Sequence, residues 1–157
     1  MQVPRWLEPI LHFFVWLVRP KYLVGVFPVC IDDHNRVLLI KKRLGAATGW
    51  QLPGGGKEYG VSLEAQACRE LHEETGLVAA ESDLRFISMR CVERYRDVNV
   101  VYLVTRCSGT PKPVDVLEIE EAQWVPFDEA LRVLHPDHVT LFSEVLSVWY
   151  RTQLEFS

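Results

Sequence analysis

The stretch GGGKEYGVSLEAQACRELHEETGL, residues 54–77 of a 157-residue chain, limits the possible folds more than any other. Glycines lead into a segment with helix signals at both ends. Ser62 has N-cap chemistry, Glu64 suits the first turn, and Gly76 suits a left-handed stop, so a helix is predicted over 62–75. At about 100° per residue, Leu63, Ala67, Cys68 and Leu71 form an apolar stripe. Glu70 and Glu74 fall at its edge, and Glu73 lies one step further round. Burying the stripe therefore brings three acids to the margin of the core. Like charges at i,i+4 destabilise an isolated helix by a few tenths of a kcal/mol, and the cost grows at a partly buried edge. Two arrangements offset it. Arg69 can pair with Glu73, which neutralises one acid of three. Alternatively, hard divalent cations sit among the carboxylates and the carbonyls of the glycine run.

The rest of the chain is that of one globular domain. Hydrophobic residues make up 48% of it, which excludes disorder. A net charge of -4 argues against broad nucleic-acid binding but not against a small anionic substrate, since bound cations invert local charge. Cys30, Cys68, Cys91 and Cys107 form no CxxC pair and read as free thiols in a reducing cytoplasm. Residues 1–20 form an apolar N-terminal extension. Its core, Trp6 to Val18, falls short of the roughly 20 residues of a membrane span and is interrupted by Glu8, Pro9 and His12. It is expected to be a helix packed on its own domain or on a second copy, with membrane-surface contact through residues 6–18 as the other partner. No secretory cleavage site follows it.

Residues 21–157 then form the main domain. Strands are expected at Tyr22–Ile31 and Val37–Ile40, joined as a hairpin by Asp32-Asp33-His34-Asn35. A loop at Leu44–Thr48 and a short strand at Trp50–Leu52 lead into the glycines. Further strands are expected at Leu84–Val92, Val98–Arg106 and Trp124-Val125, with a loop at Ser108–Val114. Helices are expected at Asp128–Leu134 and Val139–Tyr150, the latter from its apolar spacing.

The central stretch resembles the Nudix box of the MutT/Nudix hydrolases. That box reads G, five residues, E, seven residues, then R-E-U-x-E-E-x-G-U, with U a bulky aliphatic. Gly55, Arg69, Glu70, Leu71, Glu73, Glu74, Gly76 and Leu77 match eight of its nine fixed positions. Val61 stands where the first glutamate belongs. The VLLIKKR and WQLPGG segments before the box and EIEEAQWVPFDEAL after it also resemble the family, over about residues 21–150. The resemblance implies an α/β fold, an α/β/α sandwich with a mixed central sheet flanked by helices. It implies a pyrophosphohydrolase that directs water at a phosphorus of a nucleoside diphosphate linked to another moiety, such as a nucleotide sugar or a nucleoside triphosphate. It implies Mg2+ or Mn2+ held by Glu70, Glu73, Glu74 and the Gly54 carbonyl, with Arg69 positioning the glutamates. A loop base in some relatives matches Glu118 in preference to Glu121; other relatives take the base from the box helix, and both loop acids also read as solvated surface charge.

Val61 leaves an alternative open, a weak or inactive domain that binds a nucleotide as a sensor or interaction module. Glu58 is a candidate compensating acid. Arg43, Lys57 and Arg94 are candidate phosphate-binding residues, among a wider set of surface bases that includes Lys41, Lys42, Arg90 and Arg96. Trp50 is a candidate for stacking on a base, as are Tyr95 and Tyr102, although core packing explains aromatics equally well. The proline found some sixteen residues after the box in many ADP-ribose hydrolases is absent, as is the long NADH motif. Tyr95 falls near a tyrosine typical of diadenosine polyphosphate hydrolases.

Overall fold

The computed structural model describes residues 7–18, 21–43 and 49–155. The expected loop at 44–48 lies outside them. Helix α1 (Glu8–Val18) comes first, followed by strands β1 (Leu23–Cys30), β2 (Arg36–Lys42), β3 (Gly49–Gln51) and β4 (Gly55–Gly56). Helix α2 (Leu63–Thr75), a 3-10 turn at Glu81–Asp83, and strands β5 (Leu84–Val92), β6 (Asp97–Val104) and β7 (Ile119–Pro126) follow. Helices α3 (Phe127–Val133) and α4 (Pro136–Glu155) close the described chain.

The strands make two sheets, in the orders β4-β1-β6-β5 and β3-β2-β7. The first is mixed, since β1 runs parallel to β6 but antiparallel to β4. The expected hairpin of the first two strands does not form. The turn does, with Asn35 at φ 56 and the Asp32 carboxylate accepting from the His34 and Arg36 amides. Beyond the bridge between Ile31 and Val37, however, β1 and β2 part into different sheets. Strand β1 takes other partners. It pairs with β6 along its whole length, and its other edge takes Gly55 and Gly56. Strand β7 is also longer than the two residues expected. Its pairing with β2 carries it through polar Glu120, Glu121 and Gln123.

Successive residues in the central strands are buried on opposite faces. Val37 and Leu39 of β2 join Val125, Phe127, Phe142 and Val145 in one core, while Leu38 between them joins Leu71 and Leu77 in another. Helix α2 thus covers one face, and α3 and α4 the other. This is the expected α/β layering, with its central layer divided in two. None of the described side chains of helix α1 belongs to these cores. Its Ile10, Phe14, Val15 and Leu17 side chains remain exposed. No described helix is long and apolar enough to cross a membrane.

Candidate active site

Helix α2 is built as its local chemistry dictates. The Ser62 hydroxyl accepts from the Ala65 amide at 3.0 Å, and Gly76 ends the helix at φ 71. Ala67 and Leu71 are fully buried. Glu74 is buried beside them, Glu70 is half-buried, and Glu73 is exposed, in the order the helical spacing predicts.

Strand β4 brings the glycine run against this helix. Gly54 sits at φ 151 with no room for a side chain: a Cβ would lie 2.4 Å from the Val26 carbonyl oxygen. A Cβ on Gly55 would lie 2.5 Å from Glu70 Oε2. The Gly54 amide donates to Glu74 Oε2 at 2.7 Å. Buried Gln66 ties the loop to the helix, since its Oε1 accepts from the Glu58 amide while its Nε2 donates to Glu70 Oε1 at 2.7 Å.

These elements line a cavity of about 390 Å³. Six acids face it, Glu58, Glu70, Glu73, Glu74, Asp115 and Glu118, against two cations, Lys42 and Arg69. Arg69 is held by the Glu58 carboxylate through both terminal nitrogens, and its Nε lies 3.5 Å from Glu73 Oε1. Lys42 Nζ lies 3.0 Å from Glu74 Oε1 and 3.0 Å from Glu118 Oε1. Burial pushes the Glu74 carboxyl up to about 7, against the opposing pull of Lys42 and the Gly54 amide. Burial also raises Glu70. Arg69 lowers Glu58. Burial alone would lower the Lys42 ammonium, but its two carboxylate partners outweigh it and raise it.

The donor set fits a hard divalent cation. It consists of carboxylate oxygens and backbone carbonyls, it is short of positive charge, and burial raises its two least exposed acids, Glu74 to about 7 and Glu70 in the same direction. As they stand, no three acidic, histidine or cysteine side chains converge on one point among the described residues. Lys42 and Gln66 occupy the lone pairs that a cation would take.

The structure brings Gly54, Arg69, Glu70, Glu73, Glu74 and Glu118 together around the cavity. It separates Glu118 from Glu121, which lies 3.3 Å from Lys41 instead. The expected phosphate and base contacts lie elsewhere. Lys57 donates to the Glu58 carbonyl at its exposed loop, and Arg94 rests over the Tyr95 ring between β5 and β6. Trp50 packs against the core of α3 and α4. Arg43 follows β2 and is exposed, its amide bonded to the Glu118 carbonyl. None of the four lines this cavity.

Gln66, Asp115 and His138 went unnoticed in the sequence. Gln66 carried a readable signal, a polar residue on the apolar stripe, four residues before Glu70. His138 helps line a second cavity of about 360 Å³, with Phe27, Asp97, Asn99 and the first turns of α4. The Leu52 amide donates to its Nδ1 at 3.2 Å, which places the proton on Nε2. Burial lowers its pKa to about 4, so the ring is neutral near pH 7. Phe27 stands between the two cavities: a side chain on Gly54 would meet Phe27 Cδ1 at 2.7 Å.

Comparison with known proteins gives this arrangement its context. A NUDIX domain profile matches residues 21–145. The chain is 42% identical over 53 residues to Nudix hydrolase 25 of Arabidopsis thaliana, covering 34% of this chain and 30% of that one. It is 32% identical over 114 residues to an RNA pyrophosphohydrolase of Erythrobacter litoralis, covering 60% of this chain and 68% of that one. A putative 8-oxo-dGTP diphosphatase of Bacillus subtilis is 39% identical over 61 residues, covering 39% of this chain and 40% of that protein. Thus the chain spans well under half the length of two of these three relatives. Among solved structures, a MutT NUDIX hydrolase from Burkholderia pseudomallei superposes with a TM-score of 0.69 at 27% identity, over 80% of this chain and 99% of that one. The NUDIX domain of Shewanella oneidensis NrtR, in complex with ADP ribose, has the same fold, with a TM-score of 0.75 at 20% identity over 94% of this chain and 99% of that one. A box with eight of nine positions in place, a matching fold and a profile spanning most of the chain agree: this protein belongs to the NUDIX domain family.

Proposed function

We propose that the protein hydrolyses a phosphoanhydride bond in a nucleoside diphosphate joined to another group, using Mg2+ or Mn2+. The observation that carries this reading is the acidic cavity, lined by oxygen donors and adjoining a second, part-apolar cavity across Phe27. Two of the relatives carry names, RNA pyrophosphohydrolase and 8-oxo-dGTP diphosphatase, that describe this bond type.

Glu70, Glu73, Glu74 and the Gly54 carbonyl are the residues to hold the cation. Once bound, it neutralises the pyrophosphate and lowers the pKa of the attacking water. Glu118, at the rim and half exposed, is positioned to take the proton from that water. Arg69 orients Glu73. Opposite, the pocket of Phe27, Asn99 and His138 suits a nucleoside: it offers a ring face, an amide and a neutral imidazole N–H. A cytoplasmic location suits four free cysteines.

A second reading, a nucleotide sensor with little turnover, is favoured by Val61 alone. Against it, Glu58 already fills the place on Arg69. Incubating the protein with nucleotide sugars, dinucleotides and nucleoside triphosphates, with Mg2+ or Mn2+, and following phosphate-containing products tests both. Release from one compound class is expected. Tight binding with no product across the panel would establish the sensor.

A further inference from the structure

Lys42 is aimed into the acidic cavity by an irregularity in its sheet. Along β2 and β7 the register runs Lys41 to Glu121 and then slips, so that Lys42 faces Ile119. A bulge of this kind bends a strand and redirects its side chains. Lys41 turns to Glu120 and Glu121, 3.3 Å from each. Lys42 instead enters the cavity with its side chain only 16% exposed, and reaches Glu74, whose side chain is 7% exposed.

The other cation in the cavity is already committed, since Arg69 is forked onto Glu58. The two oxygens of Glu74 have different partners. Oε2 takes the Gly54 amide, which is fixed by the backbone, and Oε1 takes Lys42, which is on a flexible stem. The same ammonium spans to Glu118 on the opposite wall. One mobile positive charge therefore bridges two acids from separate elements, in a cavity whose oxygen donors suit a divalent ion.

We infer that Lys42 is a tethered counter-ion: its ammonium holds the acids of the cation-free protein together and must be displaced from Glu74 and Glu118 when a divalent cation enters. This rests on reading the cavity as a cation site. Lys42 thereby sets how tightly the site takes its ion and keeps the buried carboxylate paired when no ion is present. Removing one partner of a buried pair leaves the other charge uncompensated, whereas removing a competing positive charge favours an incoming cation.

The test compares wild type, Lys42→Met, Lys42→Arg and, as a control, Lys41→Met, each full-length. Two quantities are measured: the unfolding temperature in EDTA, and Mn2+ binding by the loss of the free-ion EPR signal. Lys42→Met is expected to lower the cation-free unfolding temperature by about 5 °C and to tighten Mn2+ binding by about tenfold or more. Lys42→Arg should keep the cation-free stability, and Lys41→Met should change neither quantity. Wild type that binds Mn2+ while Lys42→Met binds it equally or more weakly overturns the inference about Lys42 and leaves the cation site standing. Absence of Mn2+ binding in both proteins overturns the cation site and the inference with it. Binding by Lys42→Met alone supports the inference.

Discussion

At the scale of single residues, the box lacks an acid at 61 and the structure supplies one at 58. Glu58 engages Arg69 through both carboxylate oxygens, so the arginine is oriented without the missing glutamate. Truncation, Glu58→Ala, is expected to lower kcat by about 10- to 100-fold, the usual effect of losing a group that orients a ligand residue. Adding Val61→Glu to that variant should recover part of the loss; steady-state kinetics on the best compound of the panel checks both. Glu73→Gln should lower turnover by orders of magnitude while the unfolding temperature stays nearly constant, because the residue is exposed and outside the cores. Unaltered turnover would remove Glu73 from the cation site.

Glu74 gives a pH dependence with a definite sign. Its carboxyl titrates near 7 in the fold, against an ordinary value of 4.5. Across that window the folded protein holds a proton that the unfolded chain has released. Stability of the cation-free protein therefore falls as pH rises from about 4.5 to about 7, by on the order of 3 kcal/mol at most. Calorimetry at pH 5 and pH 7.5 should show this fall in wild type and a smaller one in Glu74→Gln. Saturating Mn2+ should flatten it, since the ion favours the carboxylate.

At the scale of elements, the loop and helix of the box behave as one unit. An alanine at 55 would collide with the Glu70 carboxylate, which is the far end of a flexible side chain. Gly55→Ala is thus expected to fold but to bind Mn2+ at least about tenfold more weakly, read by the same EPR titration. An alanine at 54 would collide with backbone at positive φ, and Gly54→Ala should cost about 2 kcal/mol or more in denaturant unfolding. Helix α2 was legible to its caps because those signals are local: Ser62, Gly76 and the spacing between them. The three acids were ranked correctly by helical angle alone. The divided sheet, the bulge beside Lys42 and the full length of β7 were not legible, because each depends on partners about 80 residues apart in the chain. The base-contact candidates were not separable for the same reason: Tyr95 lines the second cavity, whereas Trp50 does not line either. Aromatic and basic residues look alike in sequence whether they border a cavity or pack elsewhere, and Trp50 turned out to pack on the core.

At the scale of the whole molecule, α1 leaves an apolar set of described side chains exposed. Its exposed Ile10, Phe14, Val15 and Leu17 add nothing to the buried clusters. We propose α1 as a surface for self-association: deleting residues 1–19 should leave the unfolding temperature within a few degrees and lower the mass read by light scattering. An unchanged mass would exclude α1 as the association surface. The walls of the acidic cavity come from different sheets. Lys42 belongs to β2 and Glu118 immediately precedes β7, whereas the glycines are paired with β1. An ion and a pyrophosphate lodged there would act as a suture across the seam. Without them the two sheets are expected to exchange their amide hydrogens at separate rates, a difference that hydrogen-exchange mass spectrometry reads. With them, the protein should loosen only as a single piece.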